Sequence, residues 1–403
     1  MKVSLKIPPV SKSTILFFSF VIFLFSCNNH KNKEQRDDNV VKTDSLTLIP
    51  VDTIIIPITN EISYNNLVEL VEIGNKRYLG TQVKGKNKYE LYDLDSRKYY
   101  KTLTFDYHGP NGVGDIRYVK IINWDSIFVI QRLTKNLYLL DSAGTVIKKW
   151  TFNNTSNNKF VSGITARYIA SPLSFIKNKL YFQKVPAAGI QSNKFWRDTI
   201  QLIFDLKSNT LTNEVGFYPD IYKQGVFYGT YNMFPDIIIR NDETIVYSFS
   251  LVNNLYIFHP QKPMRTISAP TKYFNDKVSV PAKDMLADRS YAEHYEIQKG
   301  SYRFLNYDKY NNYTLRLVVH PINLYDNEGK MHVWEDKPFS IQIFDSEFKL
   351  LGEPKFKGET FYFRNIIPIH EGVLIANTNK KNPDLKENRF EFILFKYAKN
   401  DEQ

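Results

Sequence analysis

Asn136-Leu137-Tyr138-Leu139-Leu140-Asp141-Ser142-Ala143-Gly144, followed by Val146-Ile147-Lys148-Lys149-Trp150-Thr151-Phe152, is the stretch on which the fold turns. Apolar and polar side chains alternate on both sides of an Asp-centred reversal. That is the pattern of a half-buried strand, a tight turn and an outer strand. Aspartate suits the turn because its carboxylate accepts nearby backbone N–H groups and stops the strand. The phrase recurs: residues 88–95 lead to 100–105, 200–206 to 211–217, 254–260 to 264–267, and 340–345 to 349–352. Residues 390–397 are a sixth copy at the end of the chain. Most copies have a further strand ahead of them, at 125–130, 178–182, 242–247 and 371–376. The abundance of Tyr (27) and Phe (29) suits strands, and helical periodicity is nearly absent.

Four-stranded units recurring about every 50 residues, stretched to roughly 85 between the fourth and fifth copies, predict an all-β, six-bladed β-propeller. The sixth copy has no outer strand after it, while Asp52-Thr53-Ile54-Ile55-Ile56-Pro57-Ile58 has no unit of its own. A propeller closed by that N-terminal strand explains both and removes exposed sheet edges. Residues 271–300 stretch the period. They contain Pro281-Ala282-Lys283-Asp284-Met285-Leu286-Ala287-Asp288-Arg289-Ser290, and a short helical insertion is expected near 281–297. A pair of β-sandwiches is the competing architecture, and a seventh blade would have to come from 271–300.

Residues 105–116 read FDYHGPNGVGDI, with three glycines and a proline in six positions, an irregular loop that calls for positive φ. The glycine spacing is wrong for a dinucleotide fingerprint and no helix pattern follows. Through Gly109-Pro110-Asn111-Gly112 and Asp125-Ser126-Ile127-Phe128 the chain resembles a family of propeller lipoproteins of unknown function from Bacteroidota, of about this length. The resemblance covers nearly all of the mature chain. It implies a six-bladed, acylated, exported protein and supplies no activity. The loop joins an outer strand to the next blade's innermost strand, which places it on the channel face. His108, Asn111 and Asp115 are therefore the candidate ligand-binding groups, set against the reading that the glycines merely make the crossover.

The N-terminus says where the protein lives. Lys2, Lys6 and Lys12 precede an apolar run at 14–25. As helix it would measure about 18 Å, too short for about 30 Å of hydrocarbon but right for a signal-peptide core. Leu24-Phe25-Ser26-Cys27 resembles a bacterial lipobox, although Phe25 is bulkier than usual there. The expected organisation is a lipoprotein signal peptide at 1–26, a flexible tether at 27–45 and the propeller at 46–400, with Cys27 the lipidated residue. An incidental cysteine after a cleaved leader and an uncleaved anchor are the alternatives. Each buried methylene of an acyl chain contributes about 0.8 kcal/mol, so stable anchoring takes more than one chain. The membrane is thus the first expected partner, in the cell envelope at the periplasmic or surface face. Cys27 is the chain's one cysteine, so no disulfide holds the fold.

The net charge of +11 falls to +8 without the three leader lysines. The basic residues are scattered and clusters reach only doublets such as Lys148-Lys149. This reads as a solvated basic surface, with no nucleic-acid partner. The seven histidines never pair at metal-ligand spacing, so no metal or other cofactor is expected. His259 occupies a turn slot that Asp holds elsewhere. No Gly-x-Ser-x-Gly elbow exists, and the propeller has no thiol. Glu293, Glu296, Glu335 and Asp336 read as unpaired surface carboxylates, and Tyr291, His294, Tyr295 and Glu296 as packing and rim residues. Asp44-Ser45-Leu46 resembles the Bacteroidota O-glycosylation pattern, which makes Ser45 a candidate acceptor. The expected role is a lipid-anchored binding or scaffold protein for a peptide, glycan or protein at one propeller face. The alternative is a carbohydrate-active hydrolase or lyase working at the channel.

Overall fold

The computed structural model describes residues 45–400, apart from 133, 168–169, 191, 225–228, 230–231 and 276–287. The leader, Cys27, the tether up to residue 44 and residues 281–287 of the expected helix lie outside the described residues.

Six antiparallel sheets form the six-bladed propeller that the repeats predict. From the inside outwards, blade 1 is Glu69–Ile73, Lys76–Gln82, Lys88–Asp93 and Lys98–Thr104. Blade 2 is Ile116–Asn123, Ser126–Gln131, Asn136–Leu140 and Val146–Thr151. Blade 3 has a divided innermost strand, Gly163–Thr165 and Ser174–Ile176, then Lys179–Val185, Thr199–Asp205 and Thr210–Phe217. Blade 4 is Asp236–Ile239, Ile245–Ser248, Asn254–His259 and Lys262–Ser268. Blade 5 is Ser301–Asp308, Tyr313–Val319, Phe339–Phe344 and an outer edge made of Leu350–Gly352 and Lys355–Phe356. Tyr362–Ile369, Gly372–Ala376 and Arg389–Lys399 make blade 6, and the N-terminal strand Leu46–Pro57 completes it.

The turn chemistry is the one the repeat implies. Oδ1 of Asp345 accepts from the N–H groups of Glu347 (2.9 Å) and Lys349 (2.8 Å). Asp141 does the same for Ala143 and Thr145, and Asp205 for Lys207 and Ser208. In blade 4 the imidazole of His259 takes the carboxylate's place, its Nδ1 accepting from Gln261 N–H at 3.1 Å.

Each sheet buries both faces, so the core is six apolar seams, one between each pair of neighbouring blades. The closing strand serves two of them. It pairs antiparallel with Arg389–Lys399, Asp52 opposite Leu394 and Pro57 opposite Arg389. The pairing slips between Pro50 and Asp52, leaving Val51 as a bulge, 45% exposed. One extra residue inverts the alternation of side chains. Leu48 therefore packs into the seam of blades 5 and 6, whereas Ile54 and Ile56 pack into the seam of blades 6 and 1. The sequence pattern alone places the start of this strand at Asp52; the bulge extends it back to Leu46. The helix near 281–297 is found as Arg289–Gln298, capped by Asp288, whose carboxylate accepts from Tyr291 N–H. Tyr295 and Ile297 are its buried residues.

Candidate functional site

Strand direction alternates within a blade, so first-to-second and third-to-fourth turns share one end of the propeller and all other connections share the opposite end. The first end is trim, with reversals such as those joining Ile73 to Lys76, Asn123 to Ser126 and Ile369 to Gly372. The opposite end carries the connections 186–198, 218–235, 269–300, 320–338 and 377–388.

Three connections of that end enclose a cleft of about 840 Å³, lined by Gln298, Tyr325, Asp326, His332, Asp336 and Glu359 among others. Tyr325 is 53% exposed. The carboxylates here are tied into the walls. Lys381 Nζ pairs with Asp336 at 3.0 Å and Glu359 at 2.6 Å. Asp336 also accepts from Val333 N–H, and Asp326 from Glu328 and Lys330 N–H. The backbone donors, Lys330 first, hold the Asp326 carboxyl below its ordinary range.

Deeper, between blades 3, 4 and 5, lies a buried charged network. The helix Arg289–Gln298 delivers Glu296, whose carboxylate accepts from Arg303 Nη2 at 2.9 Å and from Asn232 Nδ2 at 2.6 Å. Arg303 also donates to Ser301 Oγ, Ser250 Oγ and Asn232 Oδ1. Lys337 Nζ donates to the carbonyls of Glu296 and Lys299 at the helix C-terminus, at 2.7 and 2.6 Å. Burial pushes Lys337 down to about 7. Asp236 accepts from Phe304 N–H, and burial pushes it up to about 7 against the pull of Arg167 and Arg303. Arg167 donates through Nη2 to Pro235 O at 3.1 Å, and burial lowers it to about 10. Its neighbours Arg117 and Arg303 lower it further, against Asp236.

A second cleft, about 710 Å³, lies between the start of the closing strand and the outer edge of blade 5, lined by Leu46, Leu48, Lys272, Tyr273, Lys355 and Phe395 among others. In its wall, buried Glu353 accepts from Thr271 Oγ1 (2.6 Å) and Ser340 Oγ (2.7 Å), and His320 Nε2 bonds Ser340 Oγ at 2.8 Å.

The loop candidates have separate, structural partners. Asn111 Oδ1 accepts from Val146 N–H at 3.1 Å, tying the loop to the outermost strand of blade 2. Asp115 pairs with Arg132 at 3.0 Å beside the neighbouring hairpin, and exposed His108 packs edge-on to Tyr107 at 4.7 Å. Gly114 has φ +66, and a Cβ there would meet the Gln131 side chain, so the glycine serves the crossover. Ser45 is exposed; its N–H and Oγ both donate to Leu351 O, at 2.9 and 3.1 Å. Two carboxylates depart from expectation: Glu296 and Asp336 are paired rather than free at the surface, because Arg303 and Lys381 sit against them. Glu293, by contrast, makes only a surface pair with Arg289. Among the described residues no three His, Cys, Asp or Glu side chains group as a metal site. The arginines of the network escaped the sequence reading. Their signal is an arginine inside an apolar strand start, as in Ile116-Arg117-Tyr118-Val119 and Tyr302-Arg303-Phe304-Leu305.

Among curated proteins, none matches this sequence significantly. A crystal structure of a DUF4221-family member from Bacteroides vulgatus superposes with a TM-score of 0.76 at 21% identity, covering 89% of this chain and 100% of that one. A protein from Bacteroides fragilis, thought to be exported, superposes with a TM-score of 0.51 at 9% identity, covering 88% and 96%. The family model described as "Domain of unknown function (DUF4221)" matches residues 38–355. The chain therefore belongs to the DUF4221 family of six-bladed propellers.

Proposed function

We propose that this protein is a lipid-anchored binding or scaffold propeller of the cell envelope, recognising a peptide, glycan or protein partner with its loop-rich end. One observation carries the reading: the long connections gather at one end and enclose an open polar cleft with an exposed tyrosine, while the other end is closed by tight turns. Loops on a rigid scaffold are where recognition residues concentrate. The lipobox-like Leu24-Phe25-Ser26-Cys27 supports acylation at Cys27, and the likeness to a Bacteroides fragilis protein thought to be exported supports an extracytoplasmic setting.

Three experiments test it. Mass spectrometry of the native N-terminal peptide should find Cys27 acylated, and Cys27→Ser should leave the membrane fraction. The same spectra read the Asp44-Ser45 position, where a glycan is expected. The purified full chain on a glycan array should give a saturable signal that Tyr325→Ala reduces without changing the circular dichroism spectrum. Turnover of a polysaccharide or ester at enzymatic rates would overturn the binding role. It would favour the second reading, a carbohydrate-active hydrolase or lyase, which rests on Asp326, Asp336 and Glu359 lining the same cleft.

A further inference from the structure

The innermost strands of four blades lose regular pairing near the loop-rich end, each time at an arginine. In blade 2 the register slips between Ile116 and Tyr118, around Arg117. In blade 5 it slips between Arg303 and Leu305, where Phe304 has φ +37. In blade 6 it slips between Tyr362 and Ile366, a span containing Arg364. In blade 3 the innermost strand is interrupted, and Arg167 lies in the interruption, bridged to Ser171. A bulge takes a side chain out of the alternation that would bury it in a seam and re-aims it. A bulky residue at positive φ persists only where its surroundings demand it.

Asp236 acts on Arg167 and Arg303, and Glu296 pairs with Arg303. Arg303 is engaged through all three guanidinium nitrogens and holds the network in place. Arg167 is different: its Nε is sealed from solvent with no acceptor. Arg364 Nε is sealed likewise, and its guanidinium finds no acceptor or carboxylate among the described residues. Arg167 also lies close enough to Arg117 and Arg303 to feel their repulsion. A guanidinium Nε held out of water without an acceptor is costly, even where, as in Arg167, Nη2 is bonded to Pro235 O, and the planar fork matches an oxyanion with two parallel hydrogen bonds.

We infer that the loop-side mouth of the central channel is an oxyanion site: Arg167 and Arg364, with Arg117, receive a carboxylate, sulfate or phosphate group, while Arg303 is held in place by Asn232, Ser250 and Glu296. This deepens the binding role proposed above, naming the charge of its ligand, and rests on that role for its use in the cell.

The test is isothermal calorimetry of the purified full chain with inorganic sulfate, inorganic phosphate, glucuronate and, as the uncharged control, glucose, at constant ionic strength. Saturable binding of at least one anion and none of glucose is expected. Arg364→Gln and Arg167→Gln should each weaken it at least tenfold, Arg364→Lys less, and Lys262→Gln on the outer strand of blade 4 not at all. Tighter glucuronate binding identifies an acidic sugar as the carrier, and tighter sulfate or phosphate binding identifies an ester or free anion. Flat isotherms with all three anions, or wild-type affinity in both glutamine variants, overturn the inference. A glycan-array signal that survives Arg364→Gln beside flat anion isotherms removes this site and leaves the binding role standing. Intact anion isotherms with a blank array do the reverse.

Discussion

Acidification should weaken this fold through one histidine. His320 is buried at 4% exposure, packed against Tyr273 at 4.9 Å and bonded through Nε2 to Ser340 Oγ at 2.8 Å. Ser340 in turn donates to Glu353, so the imidazole's task is to donate to that hydroxyl, which its neutral form does. Burial, then the charges of Lys355 and Lys337, push His320 down to about 4 from an ordinary 6.5. Because the folded value lies below the unfolded one, this stability is fully present above pH 6.5. It is lost as pH falls through 4, the interval in which only the unfolded chain takes up the proton. Each pH step across that interval is worth about 1.4 kcal/mol, so the full loss is about 3 kcal/mol. Unfolding entropy of about 2 cal/mol/K per residue over this fold makes that a fall of about 4 °C in Tm. The assay is urea denaturation of the wild type and His320→Gln at pH 7, 6, 5 and 4, taking the difference between the two so that common carboxylate titrations cancel. The wild type should lose about 3 kcal/mol more than the variant. Parallel curves, or a steeper loss in the variant, would refute the reasoning.

Three further outcomes follow from the seams. Ile56 is fully buried between blades 6 and 1, so Ile56→Ala should cost about 2–5 kcal/mol in denaturant melts, whereas neighbouring Ile55→Ala, 37% exposed, should stay within about 0.5 kcal/mol. A Cβ on Gly352 would stand 1.8 Å from Leu46 O, so Gly352→Ala should displace the start of the closing strand. Limited proteolysis near residue 46 should then accelerate while the rest of the chain resists. Removing the partner of a buried charge is costly, so Glu296→Ala, which takes away the carboxylate paired with Arg303, should destabilise by about 3 kcal/mol, and Glu296→Gln, which keeps an acceptor, by less.

What was legible in the sequence is what repeats. The alternation around Asp141, Asp205 and Asp345 announces strand, turn and outer strand because one carboxylate serves two backbone donors in each. The unpaired strand near Asp52 and the missing outer strand after residue 397 imply each other, and the structure pairs them. What does not repeat stayed hidden. The bulge at Val51 breaks the period that sequence reading depends on, so the Leu46–Pro50 half of the closing strand was invisible. The arginine mouth is hidden for the same reason: Arg117, Arg303 and Arg364 sit where pairing slips, and a local slip leaves no periodic trace. The glycine loop draws attention because glycine is conspicuous; in the structure Asn111 Oδ1 accepts from Val146 N–H, and Asp115 makes a surface pair with Arg132. Glu296 looked like a rim carboxylate on a short helix; only the fold brings Arg303 and Asn232 to it.

Hydrogen exchange on the full chain is the most direct check that the ring is closed by the opposite terminus. Amides of 46–57 should be protected to the same degree as those of 389–399 and should open with them as one unit, with faster exchange confined to the bulge at Val51. Free exchange across 46–57 beside a protected 389–399 would show an open blade and contradict the account.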